Sequence, residues 1–319
     1  MNNLKKIGLS ALAGSLVSFS AGAAEMSVSG GAAIYFDDTN RGKATRGNGF
    51  YMGDSLNFSA SGETDNGRSV TVKYEIDGGT LDDHSIAFGG DWGTLTFDGH
   101  GASSAMGAVD DMTPNAYEEA WDIIDVDGTS ASGSPLVIGG GGGDNAFIYT
   151  SPTVSGAQFK MYYQNDGGGV TVSDSYMDFA LSFAPEAVEG LTLGYATRDK
   201  DMGVALDEDA STMYIKYAYG PVTVGAQSSE SSHTTATLGK ESIAYGITYA
   251  VNDDFSIGLS SHVLETDKTN DADQESLGMS FSYTMGGMTL AGAMNEVDGM
   301  EADATQDYEG YEFGLSFAF

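Results

Sequence analysis

Six carboxylates crowd one short stretch of this chain. Asp110, Asp111, Glu118, Glu119, Asp122 and Asp125 all fall between Val109 and Val126. Acids this close together can trade protons, hold a hard cation, or concentrate cations in a narrow polar space. The run Asp122-Ile-Ile-Asp125-Val-Asp127-Gly128 has calcium-like spacing. An EF-hand, however, needs acids at its first, third, fifth and twelfth positions, and counting from Ile123 ends on Ser134. Loose calcium binding by Asp122, Asp125 and Asp127 is the one cofactor reading these residues leave, and no firm metal set is indicated.

Other chemistry finds less support. His84, His100, His233 and His262 show no H-x-x-x-H spacing. No G-x-S-x-G elbow occurs. The five glycines Gly139 to Gly143 are not followed by Gly-Lys-Ser/Thr, so they form no phosphate loop. No nucleophile, base or oxyanion donor set stands out, and the chain is not expected to be an enzyme.

Charge and composition narrow the classes further. The 46 acidic residues outnumber 13 basic ones, for a formal net charge of -33. Nucleic acid is excluded as a partner, because phosphate backbones need Lys and Arg. Disorder is disfavoured, since aromatics make up 11% of the chain and are strictly patterned. Lys5 and Lys6, the apolar run Ile7 to Phe19 and the small residues Ala21-Gly22-Ala23 read as a signal peptide over residues 1–23. The remaining domain is expected over 24–319.

The acids must be held by the elements around them, and those read as strands. Val70, Val72, Tyr74 and Ile76 alternate with Ser69, Thr71, Lys73 and Glu75. Phe159, Met161 and Tyr163 alternate with Lys160, Tyr162 and Gln164, and Met213, Ile215, Tyr217 and Tyr219 with Tyr214, Lys216 and Ala218. Such period-two segments are predicted near 25–36, 54–62, 68–77, 82–89, 93–99, 145–151, 156–164, 175–184, 190–198, 211–219, 221–229, 241–250, 254–264, 275–285, 288–296 and 308–319. The connections alternate long and short, with the turn at Gly78–Leu81 as an exception. Large side chains share one face, while Gly, Ser, Ala and Thr share the other. That pattern suits lipid outside and water inside. The fold class is therefore all-β: a sixteen-stranded antiparallel transmembrane barrel, with Lys73, Lys160, Arg198 and Lys216 in the inward phase.

The connection 100–144 is far longer than the rest and carries all the clustered acids. Asn115 to Ile124 is expected as a short helix capped by Thr113 or Asn115. The glycine run is expected to let this segment leave the lumen.

These features together resemble a general-diffusion porin of Gram-negative bacteria, of the alphaproteobacterial type. The signal, sixteen strands, an oversized third external loop and the C-terminal Phe319 carry the resemblance. It implies that the third loop folds into the barrel and narrows it, with its acids facing basic residues across the hole. The pore constriction would then comprise Asp110, Asp111, Glu118, Glu119, Asp122 and Asp125 with Lys73, Lys160 and Lys216. Basic residues are fewer here than that pattern calls for. The resemblance also implies an outer-membrane location, contact with membrane lipid and lipopolysaccharide, and a homotrimer. The small outward residues Gly30 and Ala32, beside Val28 and Ile34, suit close subunit packing. The expected function is passive diffusion of small hydrophilic solutes and ions, with a preference for cations. The alternatives are an outer-membrane barrel enzyme or a soluble secreted β-protein.

Overall fold

The computed structural model describes residues 25–39, 49–122, 137–165, 175–201, 207–234, 238–267 and 272–319. The signal segment and its cleavage position lie outside them. The strands are β1 (Glu25–Thr39), β2 (Phe50–Glu63), β3 (Ser69–Asp77), β4 (Thr80–Gly90), β5 (Gly93–His100), β6 (Ala102–Ser103), β7 (Gly142–Gly143), β8 (Ala146–Thr150) and β9 (Ala157–Gln164). They continue as β10 (Ser175–Phe183), β11 (Leu191–Asp201), β12 (Glu208–Tyr219), β13 (Val222–His233), β14 (Lys240–Ala250), β15 (Phe255–Thr266), β16 (Gln274–Met285), β17 (Met288–Asp298) and β18 (Tyr308–Ala318). All except β6 and β7 join one closed barrel, in which every sequence neighbour is a spatial neighbour. Each of the sixteen predicted segments holds one barrel strand.

Closure comes from β1 pairing antiparallel with β18, from Gly31 opposite Ala318 to Thr39 opposite Gly310. Gly30 and Phe319 exchange two further backbone hydrogen bonds of 2.9 Å. A closed ladder leaves no strand edge and no unpaired row of N–H and C=O groups, which hydrocarbon would not tolerate.

The two faces differ as the alternation requires. On β12, Met213 is 57% exposed and Ile215 48%, while Thr212 and Tyr214, which alternate with them, are buried. On β16, Leu277 and Met279 are exposed while Ser276 and Ser280 are buried. Apolar groups on the accessible face and small polar groups on the covered face are the reverse of a water-soluble core. Tyr219, Tyr249, Tyr283 and Phe319 stand exposed at the end with short turns, where an aromatic girdle meets the lipid interface. The turn between β3 and β4 is only Gly78–Gly79, with φ of 54° and 81° and Asp77 opposite Thr80. Two consecutive positive φ values make the tight hairpin turn that matches strand twist, so a short connection breaks the long-loop rhythm at that end.

Candidate functional site

The long connection leaves β5 and its two limbs zip together at once. Ala102 pairs with Gly143 and Ser103 with Gly142, and the Ser104 N–H donates to the Gly141 carbonyl at 2.9 Å. From this root the segment runs along the barrel wall. Its described residues meet the face opposite the exposed apolar belt.

Each landing point has its own receptor. Asp178 on β10 is fully buried, and its two oxygens accept the backbone N–H groups of Ala105 and Met106 at 2.9 Å each. Tyr176 donates to Asp178 at 3.1 Å and accepts from the Gly141 N–H at 2.8 Å. On β13, Gln227 accepts from the Met112 N–H at 2.7 Å and donates to the Val109 carbonyl at 2.8 Å. Ser280 on β16 accepts the Ala116 N–H at 2.9 Å. Tyr117 donates to Glu312 on β18, whose other oxygen accepts from Tyr51 at 2.9 Å. The path then doubles back: Asn295 on β17 donates to the Glu119 carbonyl at 2.5 Å, and Trp121 packs on His262 of β15, ring centres 4.5 Å apart.

Packing reinforces the polar contacts. Met106, Val109 and Ile138 bury against Tyr162, Tyr176 and Tyr214, which are among the few large side chains on the inner face. Elsewhere the wall is stripped to glycine so that the loop can approach. Pro114 lies against Gly225 and Gly246; a Cβ on Gly225 would stand 2.6 Å from the Pro114 ring, and one on Gly246 would overlap the Pro114 carbonyl.

Over residues 115–121 this backbone bends and turns rather than forming an α-helix. The helix expected from Asn115 is absent among the described residues, and Ile123 and Ile124 lie outside them. The Ala116 N–H is spent on Ser280, as the Met112 N–H just before this stretch is on Gln227, and such bonds compete with an internal ladder. Asn115 does not cap a helix; it donates instead to the Glu119 carboxylate at 2.8 Å.

The acids fall into distinct environments. Asp110 faces back into the root, accepting from the Gly140 N–H at 2.5 Å. Burial raises its pKa, while the Gly140 and Asp110 N–H groups and the Arg198 charge hold it down. Asp111 and Glu118 are each pushed up to about 9. For Asp111 the causes are burial, then a hydrogen bond with Glu119 and the charge of Glu119. For Glu118 they are burial, then a hydrogen bond with Asp122 and the charge of Asp122. Burial also acts upward on Glu119, but hydrogen bonds from Asp111, its own N–H, Asp122 and Asn115 outweigh it and leave the pKa lowered. Asp111 and Glu119 thus share one proton, held on Asp111, although Asp111 keeps an exposed edge. Burial, followed by the hydrogen bond to Glu312, raises the Tyr117 hydroxyl.

Glu118, Glu119 and Asp122 each offer an oxygen within 4.8 Å of the others. That is a partial set for a hard cation, which takes six to eight oxygens when the cation is calcium. Asp125 and Asp127 lie outside the described residues.

The basic residues are less convergent than expected. Lys73, Lys160 and Lys216 do lie in the inward phase. Lys216 pairs with Gly225, beside the seat of Pro114, and Lys160 pairs with the buried Ala180. Among the described residues, no ion pair joins these three lysines to the loop acids. Arg198 does touch the loop, donating to the Gly139 carbonyl at 2.5 Å, and it also donates to Glu208 at 2.5 Å.

A closed sixteen-stranded barrel with a long loop laid against its inner wall matches a known family. The model of the Gram-negative porins covers residues 8–296. The chain belongs to the Gram-negative porin family. Among solved structures, a porin refined at 1.8 Å resolution superposes with a TM-score of 0.67 at 16% identity, covering 92% of this chain and 100% of that one. An anion-selective porin from Comamonas acidovorans gives 0.68 at 14% identity, covering 93% and 100%. An engineered Rhodopseudomonas blastica porin gives 0.65 at 16% identity, covering 92% and 100%. At such identities these porins share the fold alone. No curated protein matches the sequence. Porin family and fold point to a bacterial outer-membrane diffusion channel, and porins as a family are not enzymes.

Proposed function

We propose that this porin passes small hydrophilic solutes and ions down their gradients with a preference for cations, and that residues 104–122 form its narrowing. The carrying observation is the gathering of Asp111, Glu118, Glu119 and Asp122 on the wall-bound loop, where Glu119, its pKa lowered, keeps its negative charge at neutral pH. Negative groups around a narrow polar hole raise the local cation concentration. Screening confines that effect to roughly 8 Å at physiological salt, so charges at the narrowest point set the preference. A weakly held calcium ion at Glu118, Glu119 and Asp122, with Asp125 and Asp127 following, suits the same site. A homotrimer packed through the small outer residues of β1 completes the reading.

The test is the reversal potential of the purified porin in a planar bilayer under a potassium chloride gradient. Cation preference is expected, and a potential of the chloride sign overturns the proposal. Deleting residues 106–122 should raise single-channel conductance and weaken the preference. Unchanged conductance would mean that the loop does not limit flux.

A further inference from the structure

The sequence spaces the histidines far apart, yet folding sets two of them side by side. His84 on β4 pairs with His100 at the end of β5. That pairing follows a register shift between His84 and Ser85, and β3 against β4 shifts again between Tyr74 and Ile76. Two irregularities thus flank the same stretch of β4, and such bulges re-aim side chains. Here they gather Asp82 and Asp83 around His100. The neighbouring Gly99 and Gly101 leave the space this needs: a Cβ on Gly99 would overlap the His84 ring, and one on Gly101 the Asp83 carboxylate. On the far side of β5, Asp98 pairs with Ala146, and continuing that register by two residues sets Asp144 opposite His100.

The side-chain separations here are short but wider than direct bonds. His100 Nδ1 lies 3.9 Å from Asp82 Oδ1 and 3.8 Å from Asp83 Oδ1, and Nε2 lies 3.8 Å from Asp144 Oδ1. One ligand atom from each of Asp82, Asp83 and His100 falls within 4.8 Å of the other two. These separations exceed a hydrogen bond. They approach the roughly 3.4 Å between two ligands that share a tetrahedral zinc at about 2.1 Å. Close by, His84 Nδ1 and Asp98 Oδ1 are buried with no hydrogen-bond partner.

We propose that Asp82, Asp83 and His100 Nδ1 bind a divalent transition-metal ion of the zinc class, at the barrel end that carries the long connections. Imidazole among carboxylates suits zinc, whereas calcium and magnesium take oxygen sets. Asp144 Oδ1 faces Nε2 of His100 with a negative charge 3.8 Å away, which favours the Nε2–H tautomer and so frees the Nδ1 lone pair for the metal; a carboxylate is the usual second partner of a metal-bound imidazole. The fourth position falls to water or to His84. Half-exposed ligands at a channel mouth exchange with solvent, so the site captures ions without sealing them in.

The test uses the full chain folded in detergent micelles and titrated calorimetrically with zinc chloride in excess calcium. Zinc is expected to bind at this site and resist calcium competition. His100→Ala and Asp83→Asn should each weaken it by at least about tenfold, and Asp144→Asn by less. Electrophoretic heat-modifiability confirms that each variant has closed its barrel. A second reading comes from cobalt, whose visible absorption should lose intensity in His100→Ala. Undiminished zinc affinity in His100→Ala, displacement of zinc by calcium, or loss of binding in Glu119→Gln instead would each overturn the assignment.

Discussion

Asp111 and Glu118 hold protons that a free carboxyl would release. Their ordinary values of 3.8 and 4.5 rise to about 9 on the docked loop. The docked loop therefore binds more protons than a free loop throughout the interval between, so docking is strongest at acid pH and weakens as pH climbs from about 4 to about 9. Glu119 runs the other way: its lowered value means that its contribution is lost as pH falls through it. Selectivity follows the same titration, because each released proton adds a negative charge to the narrowing. Cation preference should increase between pH 7 and pH 10, with a midpoint near 9. Reversal potentials across that range measure it, and the step should vanish in the Asp111→Asn, Glu118→Gln double variant. A flat profile in the unaltered porin would refute shared protonation. Asp178 is a second residue whose effect can be weighed. It binds two N–H groups at the loop root, and hydrogen bonds to a charged group each contribute about 1.5–3 kcal/mol. Asp178→Ala should leave the barrel closed while loosening the root, seen as noisier single-channel current and faster proteolysis near Met106.

The loop and the wall beneath it fit each other as elements. Gly225 and Gly246 have no side chain because Pro114 occupies that volume. A bulkier residue at Gly246 should lift the loop without disturbing the β13–β14 ladder, since the backbone there is ordinary strand. Gly246→Val is expected to raise conductance relative to the unaltered porin, and equal conductance would mean that Pro114 does not seat there. This fit explains what the sequence could and could not tell. All sixteen strands were legible, because lipid on one side and water on the other impose strict alternation over Val70–Ile76 and Met213–Tyr219. The unusual length of the connection 100–144 marked the site. Its receptors were not legible: Asp178, Gln227, Ser280 and Asn295 look like any inward polar residue until the loop buries them. Tyr162, Tyr176 and Tyr214 carried a usable signal, as large rings on a face otherwise built of small residues. The helix expected from Asn115 is absent over residues 115–121 because its hydrophobic spacing is equally served by a bent segment packed on a wall. The meeting of His84 and His100 escaped because bulges reset the register, and no alternation pattern reports a bulge.

For the whole molecule, sidedness decides whether the chain can exist in a bilayer at all. Leu259 and Ser260 are sequence neighbours on β15, yet Leu259 is 53% exposed and Ser260 is 8%. A cation placed at Leu259 must enter hydrocarbon, which costs a barrel about 2–4 kcal/mol near the midplane. A cation placed at Ser260 enters the lumen, where water and 46 acidic residues elsewhere in the chain can accommodate it. Its cost is then local, set by the crowding from Gly278 and the loop. Leu259→Arg should therefore depress folding into lipid vesicles and lower the urea midpoint. Ser260→Arg should fold nearly as well but reduce both conductance and cation preference, by adding positive charge beside the acids. The paired experiment separates a lipid-facing barrel from a soluble β-protein, because in a soluble fold the ranking reverses. There Leu259 would already meet water and accept the charge, while Ser260 would be core and reject it. Equal folding of the two variants in lipid would remove the hydrophobic exterior on which the barrel, its girdle and its channel all depend.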